Sequence, residues 1–326
     1  MDYLTYIPIP LLLVITLSAC LGGEWIKKHY AKSVSSKTDS LFIYTAAVSA
    51  VACVSVFCLS VFDCSASLFT IGLGCVFGVA TMLALFVGAL ALSSGPWSYT
   101  TVIITLSTII PTLSGAIFWE EVIKPLQIVG IVFMFACFIL SVKTDSQDKE
   151  QEAKASLKWL FLTVLAALAT GSIGLLQKVH QSSAYSGEVS MFLVVAFATS
   201  AVIAGMLGFI RAKKKALNDT TTSDCSTASN DTTASNVETE VSAKKTTKNG
   251  LIFLLFALGG VASALNNVIN LYLSGAMESA ILFPILNGGH LILVTVLSIL
   301  LYKEKLSLKQ WIGLTCGLIA VIMLCI

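Results

Sequence analysis

Polar and apolar positions fall along this chain in long blocks. Ten apolar stretches, near 4–23, 41–62, 68–92, 97–118, 124–142, 157–177, 189–210, 250–273, 279–301 and 308–326, are separated by polar gaps. Each holds close to the ~20 residues needed to cross a hydrocarbon core of about 30 Å. None alternates with period 2 as a half-buried strand does, and even the Val- and Ile-rich run from Val102 to Ile110 belongs to a block too long for a buried strand. In lipid every backbone N–H and C=O needs an internal partner, so blocks of this kind are helices. The pattern predicts an all-α integral membrane protein of about ten transmembrane helices.

The first block ends Leu17-Ser18-Ala19-Cys20, which resembles the end of an export signal. Its leading region, however, carries Asp2 and no Lys or Arg, and export signals have a positive leading region. A retained helix is the expectation. Most gaps are short, as antiparallel neighbours need, and one is long. Residues 212–249 open with Lys213, Lys214 and Lys215, continue through a Ser/Thr/Asn/Asp tract, and close with Lys244, Lys245 and Lys248. So little apolar surface predicts a disordered polar insertion. Asn218 and Asn230 each begin an N-x-T triplet, which chance supplies readily in such a tract.

Two halves of the chain match. Gly23 to Lys27 and Gly174 to Lys178 share the spacing G-x-x-x-K, 151 positions apart, and Glu121, Gln127 and Gly130 recur 183 positions later as Glu304, Gln310 and Gly313. The polar insertion lies between the two matching regions and accounts for the larger offset. The expected organisation is a five-helix repeat at 1–142, an inter-repeat loop at 143–156, and a second five-helix repeat at 157–326 that carries the insertion. Five is odd, so the second repeat enters the membrane inverted.

The segments Ala89 to Gly95, Pro111, Glu120-Glu121 and Gln127 to Gly130 resemble the signature of EamA-type proteins of the drug/metabolite transporter superfamily. So do Leu271 to Gly275, Lys303 to Ser307 and Gln310 to Gly313. The resemblance covers nearly the whole chain outside the insertion. It implies a two-repeat carrier of a bacterial cytoplasmic membrane that moves a small metabolite or drug by alternating access. Small multidrug-resistance relatives hold a proton-coupling glutamate in the middle of their first helix. Here Leu11 to Thr16 contains no acid and Glu24 falls at the end of the expected span, which argues against coupling of that kind. The prolines Pro111 and Pro284 are not at equivalent positions in the two halves.

Composition narrows the function. Hydrophobic residues make up 56% and charged residues 12% of the 326 residues, with a mean hydropathy of +0.88, outside the usual range of soluble domains. A net charge of +2, with basic residues scattered through loops, gives no nucleic-acid footprint. Of nine cysteines most lie in apolar blocks, where they act as small hydrophobes, and no spacing suits zinc. No metal and no cofactor is expected. The expected spans contain no Asp or Glu, and HExxH and GxSxG are absent, so a membrane-embedded enzyme is disfavoured. An accessory or sensor subunit without transport is the other alternative.

Ionisable groups deep in a span cost about 2.5–3.5 kcal/mol when charged and mark functional positions. His290, near the centre of the ninth block, is such a group. Asn287 lies three residues earlier on the same helical face, and Asn266 and Asn270 stand at matching depth in the eighth block, four apart. His290, Asn287, Asn266 and Asn270 are therefore the candidate substrate-binding residues, for a small-molecule solute. A single Asn in such a place is more often interhelical glue, worth about 0.6 kcal/mol. Glu120, Glu121 and Glu304 are expected to cap or orient turns. The glycines Gly72, Gly74, Gly78, Gly259 and Gly260 are expected to let helices approach closely.

Finally, eighteen of the twenty basic residues fall in odd-numbered loops, and only Lys124 and Lys178 fall in even ones. Lys and Arg are retained on the cytoplasmic side, so both termini are expected outside the cytoplasm.

Overall fold

The computed structural model describes residues 2–33, 38–59, 66–94, 100, 104–121, 124–140, 157–223, 238–302 and 308–325. Among these it forms α1 (Ile9–Ser33), α2 (Thr38–Leu59), α3 (Leu68–Ser94), α4 (Ile109–Phe118), α5 (Pro125–Leu140), α6 (Leu157–Gln181), α7 (Val189–Ser223), α8 (Glu238–Ala276), α9 (Ser279–Tyr302) and α10 (Leu308–Cys325). The described residues contain no strand. Glu304 and the rest of 303–307, and Gly95, lie outside the described residues.

Six helices are long and apolar enough to cross a bilayer: α1 over Ile9–Lys27, α2 over Asp39–Leu59, α3 over Leu68–Ser94, α6 over Lys158–Gln181, α7 over Val189–Lys214 and α8 over Ile252–Ala276. The chain is thus all-helical and fits a multi-pass membrane protein. The other four expected spans fall on helices that do not reach that measure over described residues. In α4 the shortness has a local cause. Pro111 cannot donate to the turn before it and its ring clashes there, so a 3-10 turn at Leu106–Thr108 precedes the helix and Pro111 sits in its first turn.

Two boundaries differ from the expected ones. Helix α1 runs to Ser33, ten residues past the expected span, so Glu24 lies inside the helix and inside the apolar stretch Ile9–Lys27. Within the insertion at 212–249, α7 continues to Ser223 and α8 begins at Glu238. Extending an existing helix adds one hydrogen bond per residue without a new nucleation cost, and Ala, Lys and Leu favour it. Residues 224–237 lie outside the described residues.

The outer surface is apolar. Phe118, Phe209 and Phe253 are each at least 70% exposed, the inverse of a water-soluble surface. The interior combines an apolar cluster, including Phe77, Phe192, Phe197, Leu271 and Phe283, with buried hydroxyls. Several of those hydroxyls satisfy themselves on the preceding turn, as Thr45 does on Leu41 O (2.9 Å) and Thr163 on Trp159 O (2.8 Å).

Helix contacts recur when each label is advanced by five. The most extensive include α2 on α7 and α5 on α10, each a pair of helices five labels apart. The contacts α3–α6 and α3–α7 recur as α8–α1 and α8–α2; α4–α6, α2–α3 and α1–α3 recur as α9–α1, α7–α8 and α6–α8. At the α2–α7 crossing the fully buried Ser49 and Ser200 hydroxyls hydrogen-bond at 2.9 Å, and these residues are 151 positions apart. That is the offset read from the G-x-x-x-K pair. With other cysteines removed, a Ser49→Cys/Ser200→Cys protein should lose both free thiols on mild oxidation, while either single variant keeps its thiol. A double variant that keeps two titratable thiols would contradict the crossing.

The glycine expectation divides. A Cβ on Gly78 would overlap Ala196 O and stand 2.7 Å from Thr199 Cβ, and one on Gly260 would stand 2.9 Å from Val48 O, so α3–α7 and α8–α2 both close through glycine. Gly74 also abuts Phe192 O, at 3.0 Å. Gly259 makes only ordinary contacts, and Gly72 faces open space.

Candidate functional site

Helix α1 packs against both α8 and α9 and so stands between the two helices that carry the candidate residues. His290, on α9, faces α1. Its ring lies within hydrogen-bonding reach of the Cys20 thiol, with Glu24 and Lys27 close enough to act on it electrostatically, and its Nε2 is buried with no hydrogen-bond partner. Glu24 and Lys27 form an ion pair at 2.5 Å, one turn apart on α1. Thiol and imidazole thus meet between α1 and α9, with the Glu24–Lys27 ion pair near enough to act on the ring. At positions related to these by the offsets of 151 and 183, Gly171 of α6 abuts Ser107, where a Cβ on the glycine would stand 2.9 Å from Ser107 O. At these positions the Ile110 side chain and the Ser107 backbone fill the space beside the glycine, where the α1–α9 crossing holds titratable side chains.

Asn287 turns its amide onto Phe283 O, at 3.0 Å on its own helix. On α8, Asn270 holds a buried Oδ1 without a partner. Asn266 is half-buried, and its neighbour Asn267 makes the contact across helices: its Oδ1 accepts from Gln177 Nε2 of α6 at 3.4 Å, while its own Nδ2 donates to Ser263 O. Among the described residues no hydrogen bond joins the α8 asparagines to Asn287 or His290. The four candidates are therefore not joined by hydrogen bonds among the described residues: His290 lies toward α1, Asn287 bonds its own helix, and Asn266 and Asn270 lie on α8, where Asn267 makes the hydrogen bond to α6.

Several polar residues were not expected here. Gln177 is fully buried and its Oε1 has no partner. His180, in the last turn of α6, is also fully buried. It stacks on Phe192 with ring centroids 4.3 Å apart, and its Nε2 is unpartnered. A buried acceptor or donor left unpaired costs about 1–3 kcal/mol. Gln177, His180, Asn270 and His290 all pay that cost inside a bundle whose exterior is apolar. A polar solute or water that supplied partners would recover it. Among the four, His290 lies beside the Cys20 thiol with the Glu24–Lys27 ion pair close by. Among the described residues no group of three His, Cys, Asp or Glu side chains could hold a metal ion.

No protein-family profile matches the chain, and no curated protein sequence matches it. Twenty-eight chains of solved structures do match. One, described only as a protein crystal structure, shares 12% sequence identity with a TM-score of 0.62, over 96% of this chain and 94% of that one. At that identity the likeness concerns the fold alone, and it extends over nearly the whole length of both chains.

Proposed function

We propose that this protein is a secondary carrier for a small organic solute, working by alternating access between two inverted five-helix halves. The observation that carries this reading is the recurrence of helix contacts under a shift of five, with Ser49 meeting Ser200 at the crossing of α2 and α7. Two like halves facing each other across unpartnered polar groups are what a rocking carrier needs. The quoted motif residues favour an EamA-type member of the drug/metabolite transporter superfamily. His290, Asn287, Asn266 and Asn270 are proposed to contact the solute, now joined by Cys20, Glu24 and Gln177. The test is a thermal-shift screen of the purified protein against amino acids, nucleosides, sugars and cationic drugs, since a ligand of the folded form raises its melting temperature. A screen in which no class moves the melting temperature, at concentrations up to tens of millimolar, would count against the carrier.

Both termini are proposed to lie outside the cytoplasm. Lys178, one of two basic residues on the even-loop side, is ion-paired with Glu121, which weakens its pull on orientation. Single cysteines at Ser35 and at the C-terminus of a cysteine-free protein should be distinguished by an impermeant reagent in intact cells. Only the C-terminal one should react, and the reverse result reverses the orientation.

A further inference from the structure

One carboxylate gathers the α4–α5, α6–α7 and α8–α9 connections at one end of the bundle. Glu121 accepts the backbone N–H of Ser279 at 2.8 Å and the Ser279 hydroxyl at 3.4 Å, at the N-terminus of α9. It also takes the Lys178 ammonium at 2.7 Å, and Lys178 donates to Met277 O at 3.3 Å. Both charged side chains are about nine-tenths buried, 9% exposed for Glu121 and 11% for Lys178. The chain reaches this arrangement through Glu120, whose φ of 52° is one that residues with a side chain seldom adopt. Gly115 leaves the room: a Cβ there would stand 2.8 Å from Ser279 Cβ.

The contacts run between the two expected halves, Glu121 from the first, Lys178 and Ser279 from the second. Close beneath lie Ser274, which is 1% exposed, and the unpartnered Gln177 and Asn270 atoms. Lys27, the counterpart of Lys178 at the 151 offset, has Glu24 of its own helix as its ion-pair partner among the described residues. That pair ties α1 to itself and spans no gap. Among the described residues, Lys178 therefore bridges the expected halves and Lys27 pairs within its own helix.

We propose that Glu121, Lys178 and Ser279 form a latch that closes one mouth of the polar interior and parts when that mouth opens. The inference rests on the carrier reading, but its test needs no solute. In a cysteine-free protein, Ser274→Cys reports access beneath the latch, and Ala89→Cys, at a fully buried position toward the other end of α3, reports general loosening. Glu121→Gln keeps an acceptor for Ser279 and removes the charge; Lys178→Met removes the other charge and leaves the helix cap. Each should speed maleimide labelling at position 274 at least tenfold and leave position 89 unchanged, whereas Lys178→Arg should label as slowly as the parent. Labelling at 274 that is unmoved in either charge-removing variant, or matched by equal acceleration at 89, overturns the latch. A solute-dependent melting shift alongside unmoved labelling would sink the latch and leave the carrier standing.

Discussion

Gly78→Leu should prevent recovery of folded protein, while Gly72→Leu, less than two turns away on the same helix, should be tolerated. At Gly78 the first added carbon would overlap Ala196 O and reach to 2.7 Å from Thr199 Cβ. A backbone oxygen cannot swing aside as a side chain can, so α7 as a whole would have to withdraw. Overpacking in ordinary cores costs about 1–3 kcal/mol, and a leucine carries three further carbons into a gap already too small for one. Lipid offers these helices no hydrophobic force to compensate, because membrane helices associate through close packing. At Gly72 nothing lies within 4 Å. The measurement is the melting temperature of the purified proteins. A Gly78→Leu variant that melts within a degree or two of the parent would show that α3 and α7 do not close through that glycine.

His290→Ala should abolish the melting shift given by any solute found in the screen and cut its transport at least tenfold, with little change in the melting temperature of the unliganded protein. The imidazole lies in reach of the Cys20 thiol with Nε2 unpartnered, so its removal takes away a buried nitrogen that the fold leaves unpaired, at the loss of one contact to a thiol. His180→Ala should behave in the opposite way. That ring is fully buried and stacked on Phe192, itself packed edge-on to Phe77. Its loss should cost about 1–3 kcal/mol of stability, as losses of buried packing do, and lower the melting temperature of the unliganded protein. If His290→Ala instead lowers unliganded stability and leaves the solute's melting shift intact, His290 is a packing residue and the solute binds elsewhere.

The positions of the helices were legible because long uncharged blocks have few alternative structures in lipid. Inward faces were much less so. Helix α2 is apolar nearly all round, and a helix of that kind carries no periodic mark of its buried side. Nothing in its sequence singles out Ser49 over Ser55. The site was half visible for a related reason. His290 is conspicuous as an ionisable group far from any loop, whereas Glu24 falls one residue past the expected first span, 4–23, and so reads as a helix end. The helix α1 runs on to Ser33. Gln177 and His180 likewise fall at or just past the end of the expected sixth span, where polar residues draw no attention. Glu121 was expected to orient a turn, and it does so on Ser279; that it also meets Lys178, 57 positions later, follows from packing that no local pattern encodes.

The meeting of Ser49 with Ser200 has a further meaning if the halves are repeats. In a symmetric dimer of identical subunits, a residue on the axis touches its own copy, and every other contact occurs twice. A two-subunit carrier with Cys20 against His290 would therefore be obliged to carry that contact on both sides. Joining the subunits in one polypeptide removes the obligation. Here the position at the matching offsets holds Gly171 against Ile110 and Ser107, so a chain of two linked repeats would be free to hold a thiol and an imidazole at one such crossing and close packing at the other.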